Sequence, residues 1–355
     1  SMSIYRDSKR IVGTNTDRVG IPAVSGGWKE VGRTTLGATA DAIDVSSLPD
    51  KRYYMVLLDR ITSGNTTGKL RLNSDSGSNY AFRYEPNGAS DVTNTSQTNW
   101  NEQHYSQSDD SFWVGYFSNI SSKEKLGIGE MVSGNGSGAT NAPDRAQGTA
   151  YKWSNTSDPI DEFNFFNDGT GDYASGSEVV VLGYDPDDTH TDNFWEELAS
   201  VELGSAGDTL SSGTITAKKY LWVQLFIKNS GVAQPRLQFN SDTGSNYHTR
   251  ISTNGAADTT NQPTAGNGGV VVSSDTTSGH TQFANVFIIN NTSNEKLVIA
   301  HAVGNNSSGA GNAPYRRETV SKWANTSNQI TQIDAWNNKT GDFDSGSFIK
   351  VWGSN

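Results

Sequence analysis

The sequence predicts an all-β protein built from two tandem repeated antiparallel β-sandwich domains that are jelly-roll-like. Two observations carry this prediction: an internal repeat that spans most of the 355 residues, and short strands of alternating polarity set between turn residues. A third observation excludes the parallel α/β class. No stretch keeps the helical period that its crossover helices would require.

The internal repeat is clearest in one loop signature. Residues 73–80 and 240–247 match at seven of eight positions, 167 residues apart. Later in each repeat the offset drifts to 170 or 171, as it does between Trp153 and Trp323. Self-similarity of this length indicates the duplication of one structural unit.

These matches divide the chain into four segments. The first repeat is expected at residues 25–184 and the second at residues 193–355. Residues 185–192 form an acidic, proline-containing stretch that is typical of a solvated linker. Residues 1–24 have no counterpart in the second repeat, and we interpret them either as an arm that docks on a neighbouring molecule or as an unstructured tail.

Alternating apolar residues locate the strands. In the first repeat Tyr54, Val56 and Leu58 fall on one face of a strand. The matching face in the second repeat carries Leu221, Val223, Leu225 and Ile227. Further strands, each bounded by turn-forming residues, are expected at 111–117, 178–182, 281–289, 296–302 and 348–352.

Composition restricts the function. A net charge of -11 argues against nucleic acid and anionic membranes as partners, because both bind clustered Lys and Arg. No run approaches the roughly 20 apolar residues of a membrane helix. The absence of Cys removes disulfides, thiol nucleophiles and Cys-based zinc sites, and none of the five His residues has metal-ligand spacing.

The sequence contains no recognisable catalytic motif. It lacks a nucleophile elbow, a His-Glu-x-x-His pattern and a phosphate-binding loop. We therefore expect a non-enzymatic protein with no catalytic residue, no cofactor and no metal. A pair of carboxylates that cleaves glycosidic bonds stays an alternative, because the fold sets the distance between such groups.

The loop signature Asp-x-Gly-x-Asn-Tyr has two interpretations. Asp75 and Asp242 carry the type of oxygen ligand that calcium prefers. The favoured interpretation is a tight hairpin turn, in which Asp and Asn bond nearby backbone and Gly supplies a positive φ. The linker aspartates resemble a calcium loop only loosely, since the Gly and Glu of an EF-hand are missing.

Tryptophan residues are the candidate contacts. Trp153 and Trp323 recur at equivalent positions, which favours a core role. Trp100 and Trp336 have no Trp counterpart, and Trp100 falls in a segment that we expect to be a loop. We expect Trp100 and Trp336 to contact a ligand or a protein partner, because an indole offers a flat face to a sugar ring or an interface.

Residues 73–80 and 171–183, with their repeats at 240–247 and 341–353, resemble β-sandwich modules of tailed-bacteriophage structural proteins. The shared pattern runs from Asp-Ser-Gly-Ser-Asn-Tyr through Trp-x-Asn-Thr to a closing Phe-x-Ser-Gly-Ser strand. This resemblance implies a virion location and other virion proteins as partners. It implies no catalytic residue.

The expected function is therefore that of a virion structural protein. Such a protein decorates a capsid, forms a head fibre or belongs to the tail, and we expect it to form a homo-oligomer. The alternative is a pair of carbohydrate-binding modules that recognises host-surface glycans. The two functions overlap, because a virion fibre can also bind glycans.

Overall fold

The structure is a computed structural model. It describes residues 27–102, 108–186, 188, 190, 192–229, 231–273, 280–305 and 308–355, together with strands β1 (Ile4–Arg6) and β2 (Lys9–Val12), which pair with each other. Every regular element in these ranges is a β-strand. Accordingly, no helix among the described residues has the length and apolarity needed to cross a membrane.

The first repeat alternates short strands with turns. Its strands are β3 (Lys29–Thr35), β4 (Ala42–Val45), β5 (Tyr53–Arg60), β6 (Gly68–Leu72), β7 (Tyr80–Pro86), β8 (Val92–Gln97), β9 (Trp100–Asn101), β10 (Ser111–Ser118), β11 (Lys125–Ser133), β12 (Asp144–Trp153), β13 (Phe163–Asn167) and β14 (Glu178–Tyr184).

The second repeat has the same succession of strands. They are β15 (Glu196–Glu202), β16 (Thr209–Thr214), β17 (Tyr220–Lys228), β18 (Pro235–Phe239), β19 (Tyr247–Thr253), β20 (Thr259–Asn261), β21 (Val270–Val271), β22 (Thr281–Ile289), β23 (Lys296–Gly304), β24 (Tyr315–Trp323), β25 (Gln332–Asn337) and β26 (Phe348–Ser354).

Each repeat is an antiparallel sandwich of one large and one small sheet. In the first repeat the eight-stranded sheet has the order β3-β14-β5-β10-β11-β12-β7-β8, and the four-stranded sheet has the order β4-β13-β6-β9. The strands β3-β14-β5-β10 and β4-β13-β6-β9 alternate between the sheets along the chain, as in a jelly roll. The remaining strands, β7, β8, β11 and β12, extend the large sheet.

The second repeat repeats this topology strand for strand. Its large sheet has the order β15-β26-β17-β22-β23-β24-β19-β20 and its small sheet the order β16-β25-β18-β21. Each of these sheets is formed by strands of one repeat only. The predicted fold class, two tandem antiparallel β-sandwiches of jelly-roll type, is therefore confirmed.

The core of each sandwich is where the alternating pattern placed it. Tyr54, Val56 and Leu58 lie in the interior of the first sandwich. Leu221, Val223, Leu225 and Ile227 lie in the interior of the second. The five further strands expected from the sequence are all present and extend at most two residues beyond their expected ends. Period-two burial thus positions the inner faces of both large sheets.

The N-terminal segment and the linker are described only in part. Most of residues 1–24 lies outside the described residues, so the docking-arm hypothesis stays a prediction. In the linker, Lys51 Nζ contacts Asp188 Oδ1 at 2.7 Å and Asp185 Oδ2 at 3.3 Å. Lys29 Nζ contacts Asp192 Oδ2 at 3.0 Å. These three aspartates therefore bind lysines of the first repeat, whereas Asp187 lies outside the described residues.

Candidate interaction surfaces

The loop signature crosses between the two sheets of each sandwich. In the first repeat it follows β6 of the small sheet and precedes β7 of the large sheet. The predicted hairpin turn is therefore wrong, because these two strands do not pair. The positive φ angles also lie elsewhere than expected, at Asn73 (52°) and Ser74 (50°).

The aspartate of the signature holds the indole of the recurring tryptophan. Trp153 Nε1 donates to Asp75 Oδ2 at 2.7 Å, and the backbone N–H of Gly77 donates to Asp75 Oδ1 at 2.8 Å. Burial acts to raise the pKa of Asp75, but the hydrogen bonds from Trp153, Asn79 and Gly77 lower it overall. Both carboxylate oxygens are thus engaged by N–H donors, which supports a structural role over calcium binding.

The second repeat contains the same arrangement. Trp323 Nε1 donates to Asp242 Oδ2 at 2.7 Å, and Gly244 N–H donates to Asp242 Oδ1 at 2.8 Å. Within the described residues no group of three or more His, Asp or Glu side chains could hold a metal ion.

Trp100 is a core residue, so its prediction as a contact for a ligand or a protein partner is wrong. It lies in strand β9, pairs with Leu70 and is fully buried. Its Nε1 donates to the carbonyl oxygens of Ala81 and Lys152, at 3.2 Å each. The equivalent strand of the second repeat places Val270 opposite Leu237. The missing Trp counterpart therefore reflects a change in core packing.

Trp336 lies on the outer face of the second small sheet. It is half-buried and faces Thr209 and Arg236 on the neighbouring strands. The corresponding residue of the first repeat is Phe166, whose ring contacts the guanidinium of Arg71 at 4.3 Å. The role of Trp336 as a contact stays a prediction.

A third hydrophobic core joins the two repeats through the outer faces of their large sheets. The first repeat contributes Met55, Leu57, Phe112, Val114, Val132, Val180 and Leu182. The second contributes Phe194, Tyr220, Phe287, Ile289, Leu297, Ile299 and Val320. We call this contact the repeat–repeat interface. It stacks the sheets in the order small, large, large, small.

A buried arginine marks one end of the repeat–repeat interface. Arg145 is fully buried and donates from Nη2 and Nε to the two carboxylate oxygens of Asp258, at 2.8 Å each. Glu85 and Glu318 lie 2.8 Å and 3.3 Å from the same guanidinium. Burial acts to lower the pKa of Arg145, but these carboxylates raise it overall. The ion pair between Arg145 and Asp258 fixes the position of one repeat relative to the other.

Two histidines also lie at the repeat–repeat interface. His248 Nδ1 donates to the carbonyl oxygen of Ala139 at 2.9 Å. His301 Nε2 lies 3.4 Å from Glu130 Oε2. Burial lowers the pKa of His301 and raises the pKa of Glu130 to about 8. No metal-ligand spacing in the sequence would have drawn attention to either residue.

The outer face of the first large sheet stays partly uncovered. The first-repeat patch consists of Tyr53, Tyr116, Leu126 and Ile128, and the last of these is 55% exposed. With Trp28 and Tyr184 the patch lines an apolar depression of about 590 Å³.

A complementary part of the second large sheet is also uncovered. The second-repeat patch consists of Phe226, Phe283, Val303 and Phe348. These residues are direct cross-strand neighbours on four adjacent strands, so their side chains form one apolar row. Phe283 is 41% exposed.

A groove rich in tryptophan runs beside the junction of the repeats. Trp28, Tyr184, Trp195 and Trp222 line it with Gly27 and Asn193, and its volume is about 380 Å³. The Trp222 ring stacks on the Trp352 ring at a centroid distance of 4.8 Å. Flat aromatic faces with an amide at the rim are suited to sugar rings.

A carboxyl pair recurs at equivalent positions in both repeats. Asp41 forms a side-chain hydrogen bond with Asp172, and this bond is the largest cause of a raised pKa at Asp172. For Asp208, burial and then a hydrogen bond with Asp342 raise the pKa. Glycosidase carboxyls stand about 5 Å or more apart with a sugar between them. Two carboxyl groups that are hydrogen-bonded to each other do not match that geometry.

Comparison with known proteins adds little to these observations. No family model matches the sequence, and no curated protein matches it. Among solved structures, the chain is similar to mouse laminin alpha1 chain, domains LG4-5, at 9% identity and a TM-score of 0.21, covering 92% of this chain and 91% of that chain. Pseudomonas aeruginosa OccK1 (OpdK) is similar at 9% identity and a TM-score of 0.13, covering 89% and 99%. Likenesses this distant carry no argument about function.

The sequence analysis did not predict the repeat–repeat interface, because an alternating pattern assigns each strand only one buried face. One signal was present in residues 178–182, which contain four consecutive apolar residues. A strand with one solvated face should alternate, whereas a continuous apolar run is typical of burial on both faces. Val180 and Leu182 indeed lie in the interface, while Val179 and Val181 lie in the sandwich core.

Proposed function

We propose that this chain is a non-enzymatic structural component that works by packing its large sheets against neighbouring protein subunits. The resemblance of its repeats to tailed-bacteriophage structural modules makes the virion the proposed assembly. Capsid, head fibre and tail are the candidate positions.

One observation carries this proposal. Beside the repeat–repeat interface, each large sheet keeps an apolar part of its outer face exposed, in the first-repeat patch and in the second-repeat patch. Contiguous exposed apolar surface of this kind marks protein interaction sites. The sandwich cores and the buried Arg145 contact keep these faces rigid, which lowers the entropic cost of docking.

Electron microscopy of particles tests the proposal. Antibodies raised against the chain are applied to intact particles from the source system, with antibodies pre-absorbed on the pure protein as the control. Regular labelling at the capsid or the tail is the expected result. Particles that carry no label while the chain is present in the infected cell would overturn the virion location.

Carbohydrate binding is the second candidate, and the groove of Trp28, Trp195 and Trp222 favours it. The test is a glycan array probed with the wild type, Trp195→Ala and Trp336→Ala. Binding that is lost in the first variant and kept in the second would place the sugar in the groove. A broad array without binding would remove this candidate.

A further inference from the structure

We propose that the repeat–repeat interface is reused between molecules: the second-repeat patch of one copy docks on the first-repeat patch of the next. This inference rests on the proposed structural function and names the partner as a second copy of the chain. The interface inside the chain serves as its template.

The template joins unlike surfaces. Phe112 of the first repeat lies against Tyr220 of the second, with ring centroids 6.2 Å apart. A two-fold contact would also bring together Tyr53, the equivalent of Tyr220, and Phe283, the equivalent of Phe112. Instead, these two side chains are 39% and 41% exposed. The contact is therefore heterologous, and each repeat has one half of it left over.

The exposed apolar residues are those that this template predicts. Ile128 is 55% exposed, whereas its equivalent Ile299 is 1% exposed in the interface. The same relation holds for three further pairs, in which the first residue is exposed and the second is buried: Leu126 and Leu297, Phe283 and Phe112, Val303 and Val132. Both leftover halves thus carry the apolar groups of an interface.

Where the residues of the two leftover surfaces differ from their equivalents in the repeat–repeat interface, the differences on the two surfaces match each other. Inside the chain, Asn291 donates to both carboxylate oxygens of Asp59, at 3.0 Å and 3.1 Å. The equivalents of these two residues are Ile120 and Phe226. In two docked copies, an apolar contact between Ile120 and Phe226 would therefore take the place of the polar contact between Asn291 and Asp59.

The charged end of the template is retained. Arg145 and Asp258 correspond to Arg316 and Asp91, whose side chains are 62% and 51% exposed. The backbone frame is the same, since Arg145 N–H donates to the Asn87 side chain and Arg316 N–H donates to the Asn254 side chain. Docking of two copies would bring Arg316 of one copy to Asp91 of the next.

The contact between copies is expected to be weaker than the contact within the chain. Leu57, Val114 and Val180 lie in the repeat–repeat interface, whereas their equivalents are polar. These equivalents are Gln224, Asn285 and Lys350. A more polar interface of this kind is typical of reversible association. The heterologous geometry leads to a ring if it closes and to a chain of molecules if it does not.

Two blocked variants of the full chain test the proposal by sedimentation velocity over a concentration series. Leu126→Asp with Ile128→Asp blocks the first-repeat patch, and Phe283→Asp with Val303→Asp blocks the second-repeat patch. All four side chains are exposed, and an unchanged thermal unfolding midpoint verifies the fold of each variant. The wild type should form species larger than a dimer, and each variant alone should associate at least about 100-fold more weakly.

The decisive sample is the equimolar mixture of the two variants. Each variant keeps the half that the other lacks, so the mixture should form a 1:1 dimer and no larger species. A wild type that stays monomeric at every concentration would overturn the proposal, as would a variant that dimerises alone. Labelled particles together with a monomeric wild type would retain the virion function and assign the patches to a different virion protein.

Discussion

The two large sheets have the same topology, yet their outer faces have different environments. At equivalent positions Ile299 is buried between the repeats and Ile128 is exposed, while Phe112 is buried and Phe283 is exposed. One sequence pattern thus serves two environments within one chain. The outer face of each large sheet is therefore suited to contact, and a second contact of the same kind is left open on each repeat.

Removal of the buried arginine should have the largest effect on the free energy of unfolding. Arg145→Ala removes the nearest cation from Asp258, Glu318 and Glu85 at the repeat–repeat interface, and should lower the free energy of unfolding by about 3 to 5 kcal/mol. Arg316→Ala changes the exposed equivalent and should cost less than about 0.5 kcal/mol. Urea denaturation measures both. Equal losses would refute the assigned difference between the two sites.

The next largest effect on stability is expected at a pair of equivalent leucines, one buried between the repeats and one exposed. Leu297→Ala removes a side chain buried between the repeats and should destabilise the protein by about 3 kcal/mol. Leu126→Ala, at the exposed equivalent position, should change stability by about 0.5 kcal/mol or less in the monomer. Thermal unfolding at low protein concentration is the measurement. A large loss from Leu126→Ala would mean that this residue is already covered within one molecule.

Inside the sandwiches the repeats should respond alike. Asp75→Ala and Asp242→Ala each leave a buried indole N–H without its acceptor, and each should cost about 2 kcal/mol. Ser78→Ala changes an exposed side chain of the same loop and is the matched control. Guanidinium denaturation compares the three variants. Unequal losses from the two aspartates would show that the loops are not equivalent.

The smallest effect is a pH dependence at the repeat–repeat interface. Because burial raises the pKa of Glu130 from 4.5 to about 8, the folded protein keeps a proton that the unfolded chain has lost. Stability should therefore fall as pH rises through this window, by about 1 kcal/mol between pH 6.5 and pH 7.5. The lowered pKa of His301 acts in the opposite direction, and most of its effect falls below pH 6.5.

Glu130→Gln isolates that contribution, since Gln resembles the protonated acid. Urea denaturation at a series of pH values should show a flatter profile for the variant than for the wild type above pH 6.5. A slope that persists unchanged in Glu130→Gln would assign the proton to a different group.

Sequence reasoning could predict the fold more fully than the surfaces. Alternation alone placed Tyr54, Val56 and Leu58 in the core, because one buried face imposes a period of two. It could not place Trp100, since a two-residue strand is too short to show any period. The interface depends on which surfaces meet in space, and the pairing of Arg145 with Asp258 joins residues that are 113 positions apart.

A charge-reversal experiment shows whether the contact between the repeats recurs between molecules. Arg316→Glu and Asp91→Arg each place like charges together if the template holds, whereas the double variant restores an opposite pair. Sedimentation equilibrium should show association lost in each single variant and recovered in the double variant. Single variants that associate like the wild type, or a double variant that stays dissociated, would show that the copies do not dock through the equivalent of the repeat–repeat interface.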